Sequence, residues 1–93
     1  MELIGVREEI LECYPEETFM FADGFDGAII GIDSKTSRIV YSICECTEIL
    51  MNDSNMTQEE AVEYFYFNVE CSYVGEQTPI WVYDVWLNKL KLN

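Results

Sequence analysis

The spacing of apolar positions predicts a short helix near the start of the chain. In residues 2–13 the apolar side chains recur at three- and four-residue intervals, as they do on one face of a helix: Leu3, Val6, Ile10 and Cys13. Pro15 ends this helix, because a proline restricts the residue before it to extended backbone. The segment "TFMFA" at residues 18–22 then predicts a first strand.

A β-hairpin is predicted by the two apolar runs that follow. The segment "ADGFDGAIIGID", residues 22–33, begins as a turn, since Gly24 and Gly27 permit positive φ and aspartates suit turns. The runs "AIIGID" and "RIVYSI" then alternate, and the polar "DSKTS" connects them. The positions expected to share a face are Ala28, Ile30 and Ile32 in the first run and Ile39, Tyr41 and Ile43 in the second.

Two further helices and a last strand complete the pattern. The segment "CECTEILMND" predicts a helix from residue 45 onward. The segment "TQEE" is a capping box, in which Thr57 accepts from the backbone of Glu60 and Glu60 reaches back to Thr57. It starts a helix over residues 58–70, and Pro79 opens the strand "PIWVYDVW".

These elements indicate one α+β domain over residues 1–93. A chain of this length forms a single core, and half of its residues are apolar. We expect a small antiparallel sheet of three to four strands, with two to three helices packed on one face.

The helix over residues 58–70 carries the candidate binding residues. At 100° per residue, four of its side chains fall within about 60° of one another on the outer face: Glu59, Glu63, Tyr66 and Glu70. The opposite face, expected to meet the core, comprises Ala61, Val62, Phe65 and Val69. The outer face is either a solvated helix surface or a contact patch in which a tyrosine is surrounded by carboxylates. The turn at Asp23 and Asp26 is a second candidate.

The chain is strongly acidic, and its basic residues are unevenly distributed. The chain has a net charge of −13, and residues 39–88 contain nine carboxylates and no lysine or arginine. Such a field repels nucleic acid, nucleotides and anionic membranes and attracts basic surfaces. We therefore expect no direct nucleic-acid partner and no membrane partner. Solubility alone is the alternative explanation of the acidity.

Catalytic and metal chemistry find little support in the sequence. The chain has no histidine, and no serine or cysteine has a recognisable catalytic partner, so we expect no enzyme and no cofactor. The turn lacks the ligand spacing of a calcium loop and the Lys-Ser/Thr of a phosphate loop. A zinc site would have to gather all four cysteines, Cys13, Cys44, Cys46 and Cys71. Free thiols are the simpler expectation, and no metal is predicted.

Localisation follows from two absences in the sequence. The acidic start "MELIGVREEILECYPEE" has no continuous apolar segment of the kind that a signal peptide carries, and no apolar run is long enough to cross a membrane. We therefore expect a cytoplasmic protein.

Several of these segments, taken in order, resemble small acidic proteins encoded by tailed phages. The shared segments are "ADGFDGAIIG", "EIL", "EEA" followed by "FN", and "YVGEQTPI", which together span roughly residues 22–82. The chain departs from the pattern at "ECSYVGE", where the pattern has Gly-Ala before the tyrosine, and its four cysteines lie outside the pattern. The resemblance implies a phage protein in the host cytoplasm, but no particular activity.

Two functions follow as expectations. The first is a non-enzymatic protein that engages a basic surface of a host nucleic-acid-binding or defence protein, with nucleic-acid mimicry or anti-CRISPR-like inhibition as its form. The second is a self-associating phage accessory or assembly protein without an inhibitory role.

Overall fold

The computed structural model describes residues 5–72 and 74–84, which form three α-helices and a three-stranded sheet. The elements are α1 (Val6–Cys13), a 3₁₀ turn (Asp26–Ala28), β1 (Ile29–Ile32), β2 (Ile39–Ser42), α2 (Ile43–Asp53), α3 (Gln58–Phe65), a π-helical segment (Tyr66–Glu70) and β3 (Ile80–Val82). This arrangement confirms the α+β class. No helix in the described ranges is long and apolar enough to cross a bilayer.

The sheet is mixed, which corrects the prediction of an antiparallel sheet. β1 and β2 pair antiparallel, as the predicted hairpin requires, whereas β3 pairs parallel with β2 and places Ile80 beside Val40. A parallel pair needs a long crossover connection. Here α2, α3 and the π segment supply that connection, so β3 enters the sheet in the same direction as β2.

The side chains of the hairpin do not alternate between the two faces of the sheet as predicted. The register shifts between Ile29 and Gly31, as at a β-bulge, and Ile30 is therefore exposed instead of sharing the inner face. Ala28 belongs to the 3₁₀ turn and Ile43 begins α2, so neither continues a strand. Residues 18–22 were predicted as a strand but form none in the structure.

Both crossover helices start at side-chain caps. The Ser42 hydroxyl accepts from Glu45 N–H at 3.0 Å, so α2 begins two residues earlier than predicted. At α3 the capping box is confirmed: Glu60 N–H donates to Thr57 Oγ1 at 3.2 Å, and Thr57 N–H donates to Glu60 Oε1 at 2.9 Å. The α-helix ends at Phe65, earlier than predicted, and the chain continues as the π segment.

The core lies between the sheet and the helices α2 and α3. Its largest fully buried side chains include Tyr41 and Phe65, with Ile39 and Cys46 beside them. Burial raises the pKa of the Tyr41 phenol, whose oxygen accepts a 2.7 Å hydrogen bond from Ala22 N–H. That bond ties residues 18–22 to the core although they form no strand.

Candidate functional site

Two of the predicted contact residues lie on the exposed side of α3. The helix buries Ala61 and Phe65, one turn apart, and this narrow buried stripe leaves Glu59 and Glu63 in solvent. The prediction that Val62 faces the core is wrong, because the side chain is 46% exposed. The apolar Val62 therefore lies on the outer surface between the two carboxylates.

The π segment redirects the other two predicted residues. Cys71 N–H donates to the Tyr66 carbonyl at 3.2 Å, an i to i+5 bond that widens the helix after Phe65. A projection at 100° per residue consequently fails beyond that point. Tyr66 and Glu70 line a cleft beside α2, whereas Glu59 and Glu63 line an open depression on α3.

The depression and the cleft adjoin each other. Gln58 and Val62 line both, so the four predicted residues surround one continuous surface. We call this surface the α3 patch; it comprises Glu59, Val62, Glu63, Tyr66 and Glu70. The structure thus brings the predicted residues together, though in two adjoining hollows and not along one straight helix face.

The cleft also contains residues that the sequence analysis missed. It has a volume of about 340 Å³ and is lined by Thr47 of α2, by Tyr66 and Glu70 of the π segment, and by Tyr83 after β3. Tyr83 is 66% exposed. The signal for Tyr83 in the sequence is weak, since "WVYD" has the alternation of an ordinary strand. Its position beside Tyr66 depends on the crossover that returns β3 to β2.

Two exposed aromatic side chains lie next to each other on the π segment. Tyr66 is 51% and Phe67 is 66% exposed, and their rings meet edge-on with centroids 5.2 Å apart. The Cys71 thiol, which lies within hydrogen-bonding reach of the Tyr66 phenol, raises the pKa of that phenol. Exposed aromatic side chains next to one another are a feature of binding surfaces.

The second candidate, the turn at Asp23 and Asp26, is already paired within the chain. Arg7 Nη2 lies 2.8 Å from Asp26 Oδ1 and 3.3 Å from Asp23 Oδ1. The guanidinium also lies over the Phe21 ring, 4.5 Å from its centroid. The hydrogen bond that Arg7 donates to Asp26 is the main cause of the raised pKa of Arg7. Because Arg7 offsets these two carboxylates, the turn presents less net negative charge than its two aspartates would alone.

None of the described cations offsets the carboxylates of the α3 patch. Arg7 is bound to the turn, and Arg38 donates from Nε to the Thr78 carbonyl and from Nη2 to the Pro79 carbonyl. Lys35 lies in the exposed hairpin turn. Neither Arg7, Lys35 nor Arg38 forms an ion pair with Glu59, Glu63 or Glu70. Within residues 5–72 and 74–84, no ion pair therefore offsets the charge of these three carboxylates.

The cysteines do not form a metal site in the described part of the chain. Cys13 and Cys71 are exposed, whereas Cys46 is buried in the core. Burial raises the pKa of the Cys46 thiol to about 12 and keeps it neutral. Within residues 5–72 and 74–84, no group of three or more cysteine or acidic side chains is placed to hold a metal ion.

Comparison with known protein families, with curated proteins and with solved structures gave no match to this chain.

Proposed function

We propose that the chain is a non-enzymatic binding protein that engages a basic surface of a host protein through the α3 patch. One observation carries the proposal: Glu59, Glu63 and Glu70 share a surface with exposed Val62 and Tyr66, and no described cation pairs with them. A binding surface commonly combines an aromatic anchor with charged groups at its rim.

The energetics favour a partner with arginine and lysine on its surface. A carboxylate that has no internal partner gains attraction from an incoming cation without losing an existing ion pair. The remaining field of the chain adds long-range steering, since the net charge is −13. Exposed Tyr66 would then supply apolar contact area within the α3 patch.

The partner class that fits this surface is a nucleic-acid-binding or defence protein. Such proteins hold nucleic acid in basic grooves. Glu59 and Glu63 lie one helical turn apart, where Cβ atoms are about 5–6 Å from each other; this is close to the phosphate spacing along a strand, and any acidic helix face shares it. The resemblance to small phage proteins supports a host partner, with nucleic-acid mimicry and anti-CRISPR-like inhibition as the expected mode.

A salt-dependent pull-down from host lysate tests the proposal. The tagged chain should retain a nucleic-acid-binding protein at low salt, and high salt, DNA or RNA should release that protein. The triple variant Glu59→Lys, Glu63→Lys, Glu70→Lys should lose it while circular dichroism shows an unchanged fold. The matched control changes Glu12, Glu16 and Glu17 to lysine, which alters the net charge equally at exposed positions outside the patch.

Two results would contradict the proposal. Retention by the triple variant would show that the partner binds elsewhere. Equal loss in both variants would show that net charge, and not the α3 patch, governs binding.

Self-association is a second candidate, favoured by the exposed aromatic side chains of "YFYF", residues 64–67. Of these four, Tyr64, Tyr66 and Phe67 are exposed and Phe65 is buried. Sedimentation at several concentrations separates the two functions. Self-association of so acidic a chain should strengthen as salt rises, whereas binding to a basic partner should weaken.

A further inference from the structure

The cleft between α2 and the π segment combines two kinds of group that recognise a cation. Tyr66 and Tyr83 both line it, and both are more than half exposed. Glu70 lies in the same lining, as does Thr47 of α2, whose hydroxyl donates to the Cys44 carbonyl at 2.9 Å. The face of an aromatic ring attracts a cation through its negative quadrupole, and a carboxylate adds a direct charge.

The tyrosine on the π segment is held in place by its neighbours. Phe67 contacts the Tyr66 ring edge-on, with the two planes at 81°. The i to i+5 bond from Cys71 N–H to the Tyr66 carbonyl holds the backbone on which both residues lie. A ring that is positioned before a ligand arrives loses little conformational entropy on binding.

The size and charge of the cleft indicate which cation it accepts. Its volume of about 340 Å³ lies at the lower end of the range for ligand sites, and it adjoins Glu59 and Glu63, which pair with none of the described cations. A guanidinium is planar, stacks on aromatic rings and forms paired hydrogen bonds with a carboxylate. A lysine ammonium stacks less well and is more strongly hydrated.

We propose that the Tyr66–Tyr83 cleft is a receptor for one arginine side chain of the partner, stacked on tyrosine and hydrogen-bonded to Glu70. This assignment rests on the proposed function, since it supplies the central contact of that interface. Its test nevertheless requires no partner protein.

The test is a titration of isotope-labelled protein with N-acetyl-arginine methylamide at low salt, followed by NMR. Saturable shifts are expected at Thr47, Tyr66, Glu70 and Tyr83, with a dissociation constant in the millimolar range that suits a single side chain. The citrulline analogue is the matched probe, because it has nearly the same shape without the charge. It should bind at least about fivefold more weakly.

Variants of the lining residues test whether the NMR shifts arise from arginine bound in the cleft. Tyr66→Leu, Tyr83→Leu and Glu70→Gln should each weaken arginine binding about three- to tenfold. Tyr64→Leu is the matched control, because Tyr64 is an exposed tyrosine on α3 that does not line this cleft. It should leave arginine binding unchanged. Backbone NMR spectra of all four variants establish that each one is folded.

Equal binding of arginine and citrulline, or equal loss in Tyr64→Leu and Tyr66→Leu, would overturn the arginine assignment. The two proposals fail separately. If arginine does not bind but the triple lysine variant still loses its partner, the α3 patch stands and the cleft assignment is wrong. If arginine binds in the cleft but the triple variant keeps its partner, the cleft assignment stands and the proposed interface is wrong.

Discussion

Phe65 of α3 meets Trp81 of β3 edge-on, with ring centroids 5.2 Å apart and planes at 86°. Phe25 also contacts the Phe65 ring, with 6.2 Å between the two centroids. Phe65 therefore joins α3, the loop before the hairpin and β3. Because the π segment starts at the next residue, this contact also sets the position of Tyr66 relative to the sheet.

Replacing Phe65 with alanine should destabilise the fold by about 3–5 kcal/mol, since the side chain is 1% exposed and its removal leaves a cavity. Phe67→Ala is the matched control, because the same residue type two positions later is 66% exposed. We expect it to change stability by less than about 0.5 kcal/mol. Urea unfolding followed by circular dichroism measures both. Comparable losses in the two variants would show that the burial pattern of this segment is wrong.

The two helix caps should contribute unequally to stability. Ser42 is fully buried, accepts from Glu45 N–H and donates to Asp84 Oδ1 at 2.6 Å. Ser42→Ala therefore removes the cap of α2 and a hydrogen bond to the Asp84 carboxylate. We expect the free energy of unfolding to fall by about 2–3 kcal/mol. Thr57→Ala removes an exposed cap and should cost about 1 kcal/mol. Chemical denaturation of the two variants gives the comparison.

Conservative replacements provide the control for the caps. Thr57→Ser keeps the hydroxyl and should match the unchanged chain. A double-mutant cycle between Ser42→Ala and the truncation Asp84→Ala should show coupling, because each of these two changes removes the same hydrogen bond. Additive effects would indicate that Ser42 acts through the cap alone.

Stability should fall at alkaline pH because of Cys46. Its folded-state pKa is about 12, above the ordinary value of 9.0, so the folded state retains a proton that the unfolded state releases. The resulting stabilisation is complete below pH 9.0 and is lost as the pH rises from there toward about 12. The raised pKa of Tyr41 acts in the same direction.

Urea unfolding at about pH 8, 9 and 10 measures how the free energy of unfolding depends on pH. Cys46→Ala should make the alkaline loss of stability shallower and leave the part that comes from Tyr41. Alkylation at about pH 8 tests the burial of the Cys46 thiol directly: the exposed Cys13 and Cys71 should react and the buried Cys46 should not. An unchanged pH dependence in Cys46→Ala would assign the alkaline loss to another group.

Features that depend on neighbours in the sequence were predictable. The capping box closes within four residues, Thr57 to Glu60, so "TQEE" contains all of its partners. The hairpin likewise follows from two apolar runs and a short polar turn. The exposure of Glu59 and Glu63 follows from their position on the helix wheel.

Tertiary structure decided what depends on residues far apart in the chain. The parallel pairing of β3 with β2 depends on the crossover, and it is this pairing that brings Tyr83 to the cleft of Tyr66. Arg7 offsets Asp23 and Asp26 across 16 and 19 residues, a pairing that no local pattern indicates. Local hydrogen bonds join residues only a few positions apart, so a short segment of sequence contains both partners. These long-range contacts depend instead on how whole elements pack, and a periodic pattern of apolar residues does not determine that packing.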